Sequence, residues 1–172
     1  MSANTSGHRD SLSDTELRIT RRRLPHWHLS GATYFITFRL RSGELSSEER
    51  KLILDHILSG DRAFYELIAV QVMPDHVHVV LCPHSTTSLS DVLKGIKGVT
   101  ARKLNRVSGT KGRVWQDESF DRIVRDNDEL LEKLQYMLNN PLKYGLAEDP
   151  FQYEGWYMKE VTDRNVCPTD EH

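Results

Sequence analysis

Two histidines separated by one apolar residue, His76 and His78, sit in the run Met73-Pro74-Asp75-His76-Val77-His78-Val79-Val80-Leu81. Alternate side chains of a β-strand share a face, so both imidazoles point one way while Val77 and Val79 point the other. Two neutral imidazoles in register supply half of a metal site. The plain alternative is a pair of polar positions on a strand face, and the rest of the chain has to decide. Downstream, Tyr136 and Asn140 are one helical turn apart and share a face with Glu132. The Asn140 amide oxygen, or the Glu132 carboxylate, would complete a nitrogen–oxygen donor set that tolerates Mg²⁺ or Mn²⁺ as well as Zn²⁺. Such an ion acts as a Lewis acid on a phosphodiester. A tyrosine hydroxyl beside it becomes a covalent nucleophile. Taken alone, Tyr136 reads as an amphipathic packing residue at a helix edge; its pairing with the histidines is what points to chemistry.

The elements that must bring these residues together are readable from period and punctuation. Residues 33–40 are β-branched and aromatic and predict a buried strand. Ser46 or Ser47, followed by Glu48 and Glu49, starts a helix that Gly60 ends. A strand over 65–73 turns through Pro74-Asp75 into a strand over 76–81, an antiparallel hairpin. Ser88 or Ser90 caps a helix with apolar positions Leu93, Ile96 and Leu104, closed by Ser108-Gly109. Residues 114–115 and 120–124 predict a fourth strand. A last helix, capped by Asp126 or Asn127 and striped by Leu130, Leu131, Leu134 and Leu138, is expected to stop at Pro141.

That order, β-α-β-β-α-β plus a helix, predicts an α+β domain of ferredoxin-like or RRM-like topology. It is an antiparallel sheet with two helices on one face. The histidine strand is then an inner one, and the last helix is free to cover the opposite face, where His76 and His78 point. Residues 1–20 are expected to be a flexible arm, 21–147 the domain, and 148–172 an irregular tail.

The chain has 172 residues, 38% of them hydrophobic and 28% charged, which suits one globular domain. No apolar stretch is long enough for a bilayer, and the N-terminal residues lack the apolar core of a signal peptide. Cys82 and Cys167 are far apart, so neither a disulfide framework nor a zinc knuckle is indicated and a cytoplasmic location is expected. The net charge of −2 conceals an uneven distribution. Arg21, Arg22 and Arg23 cluster, and Lys94, Lys97, Arg102, Lys103, Arg106, Lys111 and Arg113 follow one another with no acidic residue among them. A one-signed run of that length predicts a phosphate-facing surface rather than an ordinary solvated face. His26 and Trp27 are candidates for stacking on unpaired bases, whereas Trp115 reads as core.

Five segments together resemble the single-tyrosine transposases with a His-hydrophobic-His motif, in particular the REP-associated tyrosine transposases. They are Met73–Leu81, Tyr136–Leu146, Arg23-Leu24-Pro25-His26-Trp27, Gly31–Leu40 and Trp115–Arg122, in the same order along the chain. The resemblance implies an endonuclease and strand transferase acting on single-stranded, hairpin-forming repetitive palindromic DNA. It assigns Tyr136 the attack on the scissile phosphate, giving a 5′-phosphotyrosine and a 3′-hydroxyl. It makes His76, His78 and Asn140 the ligands of a divalent ion, Mg²⁺ or Mn²⁺. It also implies a monomer with Tyr136 acting in cis, although other relatives are domain-swapped homodimers. Two other functions compete: a non-catalytic module binding hairpin DNA or RNA on the sheet, and a hydrolase using water, for which Tyr136 would be dispensable.

Overall fold

The computed structural model describes residues 31–160. Its elements are β1 (Thr33–Leu40), α1 (Ser47–Ser59), β2 (Tyr65–Val72), β3 (His76–Pro83), α2 (Leu89–Ser108), β4 (Trp115–Val124), α3 (Asn127–Lys143) and β5 (Trp156–Met158). The five strands form one sheet in the order β4-β1-β3-β2-β5, and every pairing is antiparallel. The predicted α+β topology is therefore the observed one, with the histidine strand β3 at the centre.

Local signals set the helix ends. The Ser46 hydroxyl accepts from the Glu49 backbone N–H while the Glu49 carboxylate accepts from Ser46, a reciprocal cap on α1. Ser88 caps α2, and Gly109 closes it in the left-handed region at φ 65°, which glycine adopts without penalty. Asp126 caps α3 by accepting from the Glu129 N–H.

Period-2 alternation divides the sheet between two cores. On one face Ile36, Phe38, Val77, Val79 and Leu81 pack against α1 and α2. On the other, Phe35, Ile68, Ala69 and Val80 pack against Leu130, Leu134, Met137 and Leu138 of α3. Trp115 is buried, edge-on to Phe38 at 4.8 Å, and its indole N–H donates to the Thr100 hydroxyl at 3.0 Å. Its role is core packing, as read.

Two expectations are corrected. Helix α3 does not stop at Pro141 but runs through it to Lys143. Proline has no N–H to give the carbonyl four residues back, here that of Met137, and the Gln71 side-chain amide donates to that carbonyl instead. The segment after residue 148 is also not irregular throughout. A 3-10 turn at Pro150–Gln152 leads into β5, which extends the sheet beside β2. Gly155 permits this approach, since a Cβ there would lie 2.3 Å from the Val72 carbonyl oxygen. Three residues are too few for alternation to reveal such a strand. Among the described residues no helix is long and apolar enough to cross a membrane.

Candidate active site

The face of the sheet beneath α3 brings His76, His78 and Tyr136 together. In register, His78 of β3 lies between Thr37 of β1 and Gln71 of β2, and His76 lies beside Arg39. Both imidazoles are buried. Their Nε2 atoms are 3.1 Å apart and their rings meet edge to face at 4.7 Å.

The outer nitrogens are held as well. His76 Nδ1 lies 2.6 Å from the Asp75 carboxylate, which only accepts, so Nδ1 carries the proton and Nε2 presents a lone pair. Asp75 also faces Arg39 at 3.5 Å, so this turn residue orients the first histidine. His78 Nδ1 lies 2.7 Å from the Thr37 hydroxyl, which can donate or accept. His78 can therefore give its Nε2–H to His76, or swap tautomer, keep its Thr37 bond by donating from Nδ1, and present a second lone pair at the loss of the bond to His76. Burial pushes the His76 imidazole below its ordinary value. Burial, with His76 beside it, pushes His78 down to about 3. Both rings are thus neutral at neutral pH, the form that ligates metal. Adjacent nitrogen ligands on one ion, each at about 2.1 Å, lie roughly 3 Å from one another, so the pair fits a shared divalent ion.

Tyr136 projects from α3 with its ring 5.5 Å from that of His78, edge on, and is 50% exposed. Among the described tyrosines it alone combines exposure with a place at the histidines. Tyr65 and Tyr153 are buried with their hydroxyls on the Ile57 and Val72 carbonyls, and Tyr144 is exposed beyond the end of α3. A cavity of about 370 Å³ opens beside the site, and Thr37, His78, Tyr136, Phe120, Glu132 and Lys133 line it.

The other predicted residues divide. Asn140 is buried on α3, where its side-chain N–H donates to the Gln71 amide oxygen at 3.2 Å. Glu132 is exposed, 3.3 Å from Lys133, and among the described residues no His, Cys, Asp or Glu makes a group of three that could hold a metal. Lys94, Lys97, Arg102, Lys103 and Arg106 lie on α2, across the sheet from Tyr136. Of these, Lys97 is tied into the fold, its ammonium donating to the Gln116 and Asp117 carbonyls and the Ser119 hydroxyl. Arg21, Arg22, Arg23, His26 and Trp27 fall outside the described residues. Sequence reasoning missed Thr37, Arg39 and Gln71. The first two were accessible in principle, because an antiparallel β1–β3 pair puts alternate β1 residues beside the histidines.

An antiparallel α+β sheet thus sets two buried imidazoles against a half-exposed helical tyrosine, the arrangement that the resemblance to the tyrosine transposases implies. Residues 42–139 match the model of the IS200-like transposases; that is more than half of the chain, which belongs to this family and is a DNA transposase. The REP-associated tyrosine transposase of Escherichia coli K12 is 25% identical over 149 residues, covering 84% of this chain and 87% of its own. A Haemophilus influenzae chain is 24% identical over 136 residues, or 69% of this chain and 74% of its own. The structure of a REP-associated tyrosine transposase bound to a REP hairpin superposes with a TM-score of 0.58 at 22% identity, covering 74% of this chain and 76% of that one. That likeness extends to the fold.

Proposed function

We propose that this transposase uses a divalent ion, Mg²⁺ or Mn²⁺, to cleave and rejoin single-stranded, hairpin-forming repetitive palindromic DNA through a 5′-phosphotyrosine on Tyr136. The observation that carries the reading is the half-exposed Tyr136 ring 5.5 Å from His78, whose Nε2 converges with that of His76. In the forward step the Tyr136 oxygen attacks phosphorus as its proton departs. The bond to the 3′-oxygen breaks, and that oxygen leaves as a 3′-hydroxyl. The new phosphotyrosine keeps the phosphodiester's energy, so attack by a 3′-hydroxyl on the same phosphorus restores a DNA strand and frees Tyr136 without ATP.

His76, His78 and Asn140 would hold the ion, which when bound supplies charge neutralisation on the scissile phosphate. Asp75 and Thr37 fix the imidazoles from behind, as outer partners of metal-binding histidines do. The single-stranded segment would enter the cavity beside Tyr136, where Phe120, 60% exposed, offers a face for a base and Lys133 a charge for a phosphate. A hairpin ligand is supported by the similar fold of a relative bound to a REP hairpin and by the names of the curated relatives. Tyr136 and His78 meet within one chain, which favours a monomer acting in cis.

The test is to incubate the full chain with Mg²⁺ or Mn²⁺ and a 3′-labelled hairpin oligonucleotide carrying a single-stranded flank. A denaturant-resistant protein–DNA adduct is expected, and Tyr136→Phe should abolish it. Cleavage without an adduct would assign attack to water, and binding without cleavage would leave a binding module.

A further inference from the structure

Gln71 is a completely buried polar side chain in the middle of a hydrophobic layer, and nothing in the chemistry above uses it. A buried primary amide without partners is costly. Here both ends of it are engaged by α3. Its N–H donates to the Met137 carbonyl, and its oxygen accepts from the Asn140 side chain at 3.2 Å. The Met137 carbonyl is the one acceptor in α3 that Pro141 leaves without a helical donor. Met137 directly follows Tyr136, and in register Gln71 is the neighbour of His78.

Placement of Gln71 on this face depends on a defect in the strand. Simple alternation from Tyr65 and Leu67 would turn Gln71 toward α1 and α2. The irregularity between Leu67 and Ala69 shifts the register by one, so that Val70 and Val72 join the α1–α2 core and Gln71 faces α3.

We propose that Gln71 is a positioning residue: its amide keys the Pro141 gap of α3 to the strand beside His78, fixing Tyr136 and the Asn140 side chain relative to the histidines. A helix lying on a sheet through leucines alone can slide or rotate, since apolar contact is not directional. The gap at Met137 accepts one donor at one position, and so sets the register. The same amide leaves the Asn140 oxygen free while holding its nitrogen, which deepens the proposed role of Asn140 and rests on that reading.

A double-mutant cycle tests this. Gln71→Met keeps the length of the side chain and removes both hydrogen bonds. Pro141→Ala restores a backbone N–H at the position that normally serves the Met137 carbonyl. Gln71→Met should lower the melting midpoint by about 3–8 °C, the loss expected for a stranded buried acceptor in a domain of this size. It should also slow adduct formation at least tenfold at 25 °C and raise the Mn²⁺ concentration needed for half-maximal rate. Adding Pro141→Ala should recover most of the midpoint, because the carbonyl regains a donor, but should not recover the Mn²⁺ dependence, because Asn140 remains unheld.

If the two substitutions are merely additive in the midpoint, Gln71 does not serve the Pro141 gap. If Gln71→Met reacts at the wild-type rate with unchanged Mn²⁺ dependence, it does not position the site. Should Gln71→Met alone fail to fold, the double variant is expected to fold, and its failure overturns the proposal. A wild-type chain that forms no adduct overturns the nucleophile reading instead, while the midpoints still judge Gln71.

Discussion

Thr37 shows at the residue scale how little the sequence advertises a determinant of the site. Its hydroxyl is the partner of His78 Nδ1 at 2.7 Å, and because it can accept from or donate to that nitrogen it holds the ring in place whether Nε2 carries a proton or a lone pair. Thr37→Val preserves shape and strand propensity but leaves Nδ1 without a partner. Losing such an outer hydrogen bond typically weakens metal affinity 10–100-fold, so titration of Mn²⁺ by calorimetry should show a drop in that range. An unchanged affinity would mean that the hydroxyl does not support the imidazole as a ligand. Asp75 was legible as a turn residue, and it also accepts from His76 while it closes the β2–β3 hairpin.

Among the elements, α3 carries most of the consequence, because it alone brings Tyr136 to the histidines. Glu129 anchors its first turn, accepting from the Arg125 backbone N–H and facing the Arg122 and Arg125 guanidinium groups. The Arg125 backbone bond, then that residue's side chain and Arg122, hold the Glu129 carboxyl below its ordinary range. A depressed carboxyl stabilises the fold at pH values above its unfolded pKa and loses that contribution as pH falls through the folded value. Glu129→Gln should therefore melt below wild type at neutral pH, and the gap between them should close in acid; a gap independent of pH would rule the carboxylate out.

The helix was legible in its apolar stripe and its cap, but its continuation through Pro141 was not. The donor that rescues the Met137 carbonyl comes from another element, and that element faces α3 only because β2 carries an irregularity between Leu67 and Ala69. Strict alternation, the rule that placed His76 and His78 correctly, is the rule that fails in β2. Strand β5 escaped for a different reason: its pairing with Ala69, Val70 and Gln71 is tertiary, and three residues between turn formers carry no pattern.

Among the described residues, the candidate site and the basic run of α2 lie on opposite faces of one sheet. Tyr136 and the histidines sit under α3, while Lys94, Arg102, Lys103 and Arg106 are exposed on α2. If the hairpin spans both faces, replacing those four cations with glutamine should lower affinity and flatten its salt dependence by up to about 0.7 per phosphate contact removed. The adduct rate at saturating DNA should be preserved. An unchanged slope would confine the DNA to the α3 face and to the few cations there. The proposed action of Tyr136 in cis makes a second demand: mixing Tyr136→Phe with His78→Ala chains should restore no activity, whereas recovery would require a tyrosine delivered from a neighbouring copy.

The central claim is that one phenol, Tyr136, becomes joined to DNA. Digestion with trypsin would release it in the peptide running from Leu134 to Lys143, in which Tyr136 is the single tyrosine. After reaction with a hairpin oligonucleotide and nuclease trimming, mass spectrometry should find that peptide carrying a 5′-linked nucleotide on Tyr136. A nucleotide found instead on the peptide that contains Tyr144, or complete strand cleavage with the Leu134–Lys143 peptide unmodified, would contradict the account.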